Sequence, residues 1–283
     1  MNRRALVIAA AAAFVAAPAG AQSWRTVTAA RQARATDSMR VDIDYGLGRL
    51  TLGLAPAGLL YDLRMRYDEQ RAEPVRAFDE ASSKLTVGVR QLERGSAIWS
   101  GRRGHGGELA LTMAAGVLLD LSLDIGATAS RIDLAGLSVR SLRVRAGASE
   151  TRLAFGAPNP VPLRDLSIEV AAAELDVRQL GNANAERVSV RCAVGDVELD
   201  LSGAWARDMH LELDLVLGSV TLRVPRDIGV RVRLNKVLAS FDHPALVRRG
   251  DDYVSANFDA APRKLTIEAS TVLGSLDVLW LDR

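Results

Sequence analysis

Apolar and polar residues alternate one by one through six segments of the chain, and the six share one shape. They are VDIDYGLGRLTLGL (41–54), LSLDIGATASRIDL (121–134), LRVRAGASETRLAF (142–155), VSVRCAVGDVELDL (188–201), LELDLVLGSVTLRV (211–224) and LTIEASTVLGSLDV (265–278). Each is an alternating run, a small-residue corner and a second alternating run. Period-two alternation puts every second side chain on one face, as a half-buried strand requires. In LELDLVLGSVTLRV, Leu211, Leu213, Leu215 and Leu217 share a face before Gly218-Ser219, and Val220, Leu222 and Val224 share one after it. Both halves are therefore predicted to point inward across the turn.

The corner itself recurs as VLGSV (216–220), VLASF (237–241) and VLGSL (272–276). Gly48, Gly195, Gly218 and Gly274 occupy its turning position, which suits a residue free to take positive φ or to let another backbone come close. They are read as structural turn residues. A phosphate-cradling loop would need a following helix or a P-loop Lys, and neither is written here. Gly195 and Gly218 lie 23 residues apart, and Ala239, the counterpart in VLAS, lies 21 further on. Such spacing fits one turn of a β-solenoid, so the predicted fold is all-β and elongated, with stacked strands around a continuous apolar interior. Two-residue Gly-Ser loops also suit β-hairpins, which leaves an antiparallel meander or sandwich as the alternative. Lys236 and Thr271 fill the slot held by Leu215, a departure that places this slot close to solvent.

The ends and the composition bound the setting. Residues 1–21 have the parts of a signal peptide: Arg3 and Arg4, an apolar Ala5 to Ala17, and Ala19-Gly20-Ala21, with cleavage expected after Ala21. No later segment reads as a membrane anchor, so a periplasmic or secreted protein is expected. Residues 22–37 read as a loose leader or a short capping helix, 38–98 as an N-terminal β unit, 99–108 as a Gly-rich linker, and 109–283 as the repetitive solenoid domain. The linker carries Arg102, Arg103 and His105, a set read as solubilising. The whole chain has 36 Lys and Arg against 34 Asp and Glu. Removing Arg3 and Arg4 balances the two signs, which gives no case for a nucleic-acid partner. Cys192 continues the inward frame of Val188 and Val190 and is expected to be buried.

Catalytic chemistry finds no starting point. His105, His210 and His243 lie in unrelated contexts without metal-ligand spacing, and no GxSxG or SxxK element is present. No cofactor is expected. Asp124, Asp133, Asp176, Asp200, Asp214 and Asp277 alternate with apolar residues and so face outward. Stacking equivalent positions predicts surface charge pairs, with Arg191 beside Asp214 and Glu212 beside Arg233. The RGD tripeptide in VRRGDDY (247–253) reads as a polar turn, and Trp99, Trp205 and Trp280 read as caps on the core.

MRVDIDYGLGRLTLGL (39–54) followed by KLTVGV, then LSLDIGATASRIDLAGLSVRSLRVRAGAS, LGNANAERVSVRCAVGDVELDLSGAW and LGSVTLRVPRDIGVRVR, resembles the bacterial toastrack-domain proteins. That group includes LiaF-like envelope-stress proteins and adhesin-like β-solenoid domains. The resemblance covers nearly all of the chain after the leader and implies an extracytoplasmic β-solenoid that regulates envelope stress signalling through protein contacts. It brings no catalytic residues, and the membrane helices that precede the domain in LiaF-like proteins are missing here. The expected function is therefore a non-catalytic interaction or regulatory module at the cell envelope, with an envelope protein or a second copy as partner. A periplasmic carrier or binder of lipid or glycan is the alternative, with AAAELDV (171–177) as the one stretch whose small residues could leave an inward cavity. A carbohydrate-active enzyme ranks behind both, because it would need its carboxylates clustered in a cleft.

Overall fold

The computed structural model describes residues 23–33, 37–92 and 106–282. The signal-peptide reading of 1–21 lies outside these residues, as does most of the 99–108 linker with Trp99, Arg102, Arg103 and His105. Among the described residues sixteen strands form one sheet. The N-terminal group is β1 (Trp24–Gln32), β2 (Ser38–Leu54), β3 (Leu59–Asp68), β4 (Ala72–Asp79), β5 (Lys84–Gln91) and β6 (Gly107–Met113). The stack continues with β7 (Leu118–Asp133), β8 (Ser138–Ala146), β9 (Glu150–Ala154), β10 (Asp165–Arg178), β11 (Arg187–Asp200) and β12 (Met209–Pro225). It closes with β13 (Gly229–Asp242), the short β14 (Leu246–Arg249) and β15 (Asp252–Ser255), and β16 (Lys264–Leu281).

The repeat segments become rungs that lie parallel and in register. β2 pairs with β7, β7 with β8 and β9, these with β10, and then β11 and β12 follow. Both alternating halves of each rung send their apolar residues into one interior. On β12 these are Leu211, Leu213 and Leu215 before the corner and Val220, Leu222 and Val224 after it, all buried. The interior is filled by Leu, Val and Ile rather than hollow, so burial of apolar surface is the main force holding the rungs together. Where the chain leaves one rung for the next, buried Asn159 and Asn182 tie the connections. Asn159 Nδ2 donates to the Val139 carbonyl at 2.7 Å and Asn182 Nδ2 to the Phe155 carbonyl at 2.8 Å. Each amide satisfies backbone groups that a loop would otherwise bury unpaired.

Four expectations change in the structure. Residues 24–32 form strand β1, antiparallel to β3, where a loose leader or capping helix was expected. The strand has few large residues because only its inner side touches protein, and it covers the end of the sheet. Second, Leu217 is turned outward and 42% exposed, so only Leu211, Leu213 and Leu215 share the inward face. The chain places two consecutive side chains outside at the corner, Val216 and Leu217, before Gly218 turns it back. Third, β16 lies between β12 and β13. Glu212 therefore stands beside Glu268, and Arg233 beside the other side of Glu268, which separates the Glu212 and Arg233 predicted to be neighbours. Fourth, Thr271 is buried although it shares the Leu215 slot, while Lys236 in that slot is exposed because β13 is the last full rung.

Candidate binding groove along the solenoid corner

The two outward positions of every corner stack into two columns that run the length of the solenoid. Register pairing aligns Gly46, Gly126, Gly147, Ala171, Ala193, Val216, Val272 and Val237 in the first column. Side-chain size rises along it from glycine through alanine to valine. At the small end the column becomes the floor of an open groove of about 720 Å³ that runs from Gly46 to Val216. At the large end it becomes a ridge: Val216, Val272 and Val237 are exposed, together with Leu217, Leu273 and Leu238 of the second column.

One wall of the groove is a row of charged side chains two residues before the floor. In rung order it reads Asp44, Asp124, Arg145, Glu169, Arg191 and Asp214. Arg145 lies 3.6 Å from both Asp124 and Glu169, and Arg191 lies 3.5 Å from Glu169 and 3.3 Å from Asp214. The predicted Arg191 and Asp214 pair is thus part of a longer alternating ladder. Each arginine is shared by two carboxylates, which neutralises the middle of the wall. Asp44 stands at its end beside Asp124, with no ion-pair partner among the described residues.

The turning position next to these columns is built in three ways, with Ala173 and Ala239 holding it on β10 and β13. Gly48, Gly195, Gly218 and Gly274 have φ between 130° and 145°. A Cβ on Gly218 would sit 1.8 Å from the Gly195 carbonyl oxygen, and one on Gly274 would sit 1.8 Å from that of Gly218. Glycine is needed there for both conformation and space. On β7 and the turn before β9 the same column holds buried Thr128 and Ser149. Their hydroxyls pair with those of Ser130 at 2.8 Å and Thr151 at 3.2 Å, which satisfies oxygens that the corner would otherwise bury alone.

The other candidates scatter. His210 lies 4.0 Å from Glu268, while His243 packs at a tilt against Phe241 and Tyr253 with centroids 4.5 and 4.6 Å away. No group of His, Cys or carboxylates able to hold a metal occurs among the described residues. Asp133 caps the Ala135 N–H, Asp176 pairs with Arg178, Asp200 accepts from the Ser202 N–H, and Asp277 meets Ser275. The RGD tripeptide is the turn of the β14 and β15 hairpin, with Gly250 at positive φ. Cys192 is buried, and that burial, with Asp196 nearby, pushes its thiol pKa up, as for an unreactive side chain. Trp205 Nε1 donates to the Leu201 carbonyl and Trp280 Nε1 to that of Pro244. In AAAELDV the inward cavity is absent: Ala171 and Ala172 face out, and Ala171 is groove floor. The groove escaped sequence reading because its floor residues are separated by 21 to 80 positions, and only strand register aligns them.

Residues 21–159 match the family model of the N-terminal domain of toast_rack. The chain carries a toast-rack N-terminal domain. This toast-rack segment ends just past β9, so the five rungs β10 to β13 and β16 lie beyond it. Among solved structures, a candidate cell adhesion protein of Clostridium sporogenes is 13% identical with a TM-score of 0.49, covering 92% of this chain and 100% of its own. A candidate adhesin of Bacteroides fragilis is 10% identical with a TM-score of 0.38, covering 90% and 97%. A candidate lipid binding protein of Parabacteroides distasonis is 10% identical with a TM-score of 0.38, covering 93% and 98%. No curated protein matches this chain.

Proposed function

We propose that this chain is a non-catalytic interaction module of the cell envelope, acting in the periplasm or outside the cell after removal of residues 1–21. The observation that carries this reading is the continuous outer face of the corner. Eight stacked rungs present two ordered columns of side chains on a rigid, filled core, and the charged groups from Asp124 to Asp214 beside them are paired with one another. Stacked repeats supply this kind of extended recognition surface. The catalytic alternative asks for carboxylates gathered in a cleft, whereas these are strung along the rungs, with Asp124, Glu169 and Asp214 paired to Arg145 and Arg191. A carrier with an internal cavity has no room in this core; lipid or glycan would have to lie in the outer groove. Regulation of envelope stress signalling is the finer role that the toast-rack resemblance suggests.

In-cell photocrosslinking tests the reading. A photoreactive residue at Ala193, on the groove floor, is expected to capture an envelope component that the same residue at Arg223, a rung face away from the corner, does not. Capture of a lipid or glycan alone would replace the protein partner with the carrier reading. Equal labelling from both positions would overturn the corner as the working surface.

A further inference from the structure

The two ends of the corner have opposite shapes on one face, and their sizes match in reverse order. Counting rungs from β2 to β13, the first column reads glycine at rungs one to three, alanine at four and five, and valine at six to eight. An antiparallel copy laid on this face would set Gly46 against Val237, Gly126 against Val272, Gly147 against Val216, and Ala171 against Ala193. Every such pair combines one small and one larger residue or two of intermediate size, so in the first column a ridge meets a recess at each level. In the second column Leu273 and Leu217 fall on small residues, and exposed Leu47 meets Leu238 as an apolar contact at each end.

The fold does not explain all the small residues. A Cβ on Gly46 would meet nothing within 4 Å, and on Gly147 it would meet its nearest atom at an ordinary 3.4 Å. Neither has a positive φ. Glycine within a strand is destabilising and often marks the approach of another backbone. The ridge is equally unexplained within one copy, because Val237 and Leu238 are 71% and 72% exposed on the last rung. Contiguous exposed apolar residues of this kind mark interaction sites. Charge agrees with shape. Lys236, beside the ridge, has no ion-pair partner among the described residues, and the antiparallel arrangement brings it to Asp44 and Asp124 at the far end of the groove wall. Ser270 and Asn235, which continue the charged row at the ridge end, are neutral and can lie against that wall without like-charge contact.

We propose that two copies of this chain associate antiparallel about a two-fold axis on the corner face, the valine and leucine ridge of each seated in the glycine and alanine groove of the other. The interface is isologous, so it closes at a dimer. Its strip is about 34 Å long, from seven rung steps of about 4.8 Å, and roughly 12 Å wide. That is the small end of specific interfaces, which makes the dimer reversible and concentration-dependent.

Sedimentation velocity on the purified protein between about 1 and 200 μM, a range that brackets weak dimers, is the first test. Wild type is expected to shift from monomer to dimer across it. V237E, on an exposed position that leaves the core intact, is expected to weaken association about 30-fold, because the two-fold axis makes one substitution remove two apolar contacts and bury two charges. K236E is expected to weaken it less, with recovery when combined with D44K. A bis-maleimide added to the G46C and V237C double variant is expected to give covalent dimer, since these positions are far apart in one copy and adjacent between copies. A monomer at every concentration would overturn the proposal, as would dimer crosslinked equally well by V237C alone, which means edge-to-edge pairing through β13. Because only purified protein is used, either result leaves the capture of an envelope component to be decided separately.

Discussion

The second and third rungs of this solenoid turn the corner with different chemistry from the later ones. On β2, β11, β12 and β16 the turning residue is glycine, held at a φ that other residues rarely adopt and pressed against a carbonyl of a neighbouring strand. At Thr128 and Ser149 the column is a hydroxyl, buried and satisfied by a second hydroxyl two residues on. Of the glycine rungs, β12 and β16 carry valine and leucine just outside the turn, whereas β2 carries Gly46 and Leu47 and β11 carries Ala193 and Val194; the hydroxyl rungs carry glycine and alanine there. The bend is therefore a property of the stacked backbone, which either device can satisfy. Residue size outside the bend is free to serve another purpose.

Substitutions at the two kinds of glycine give the sharpest contrast. Gly218→Ala puts a Cβ on top of the Gly195 carbonyl oxygen. The expected cost is about 4 kcal/mol or more, seen as a melting temperature lower by ~10 °C or as failure to fold. Gly147→Ala should change stability by less than about 1 kcal/mol, of either sign, because its Cβ has room. Equal losses at both sites would remove the distinction.

The hydroxyl corner breaks in a different way. Thr128→Val should cost about 1 to 3 kcal/mol in urea unfolding by leaving the Ser130 hydroxyl buried without a partner. The double change with Ser130→Ala should recover most of that loss, since both polar groups are then gone. No recovery would mean that Thr128 holds the corner by shape.

A smaller effect depends on pH. Asp120 on β7 accepts hydrogen bonds from the Arg140 guanidinium, which holds its carboxyl below the usual carboxylate range, with Ser141 helping against the opposing effect of burial. A folded-state pKa below the unfolded value of about 3.9 gives stability that is complete above that value and lost as pH falls through the folded one. Melting temperature should therefore fall more steeply below about pH 4 in wild type than in Asp120→Asn. Parallel curves would show that the pair adds nothing. The smallest change is expected at Arg191, more than half exposed although it lies near two carboxylates. Arg191→Ala should cost at most ~1 kcal/mol and lose even that in high salt, because exposed pairs are screened.

The strands, their inward faces and the turning glycines were legible because each depends on residues within a few positions of one another. Period-two alternation on Leu211, Leu213 and Leu215 needs no knowledge of any other rung. Leu217 was misread because the corner adds an outward residue, and alternation cannot register that local break in phase. The Arg191 and Asp214 pair was legible because consecutive segments stack. Glu212 and Arg233 failed by the same rule, because β16 enters between their strands.

By itself, then, the sequence determined an all-β chain of half-buried strands with repeated corners, since the pattern of apolar side chains dictates which face each strand must bury. Tertiary structure alone decided the order of the rungs, and with it the graded columns on the corner. Gly46, Ala171 and Val237 become neighbours in one row only through backbone hydrogen bonds between distant segments. No local preference records those contacts, so the groove and the ridge exist only once the sheet has closed its register.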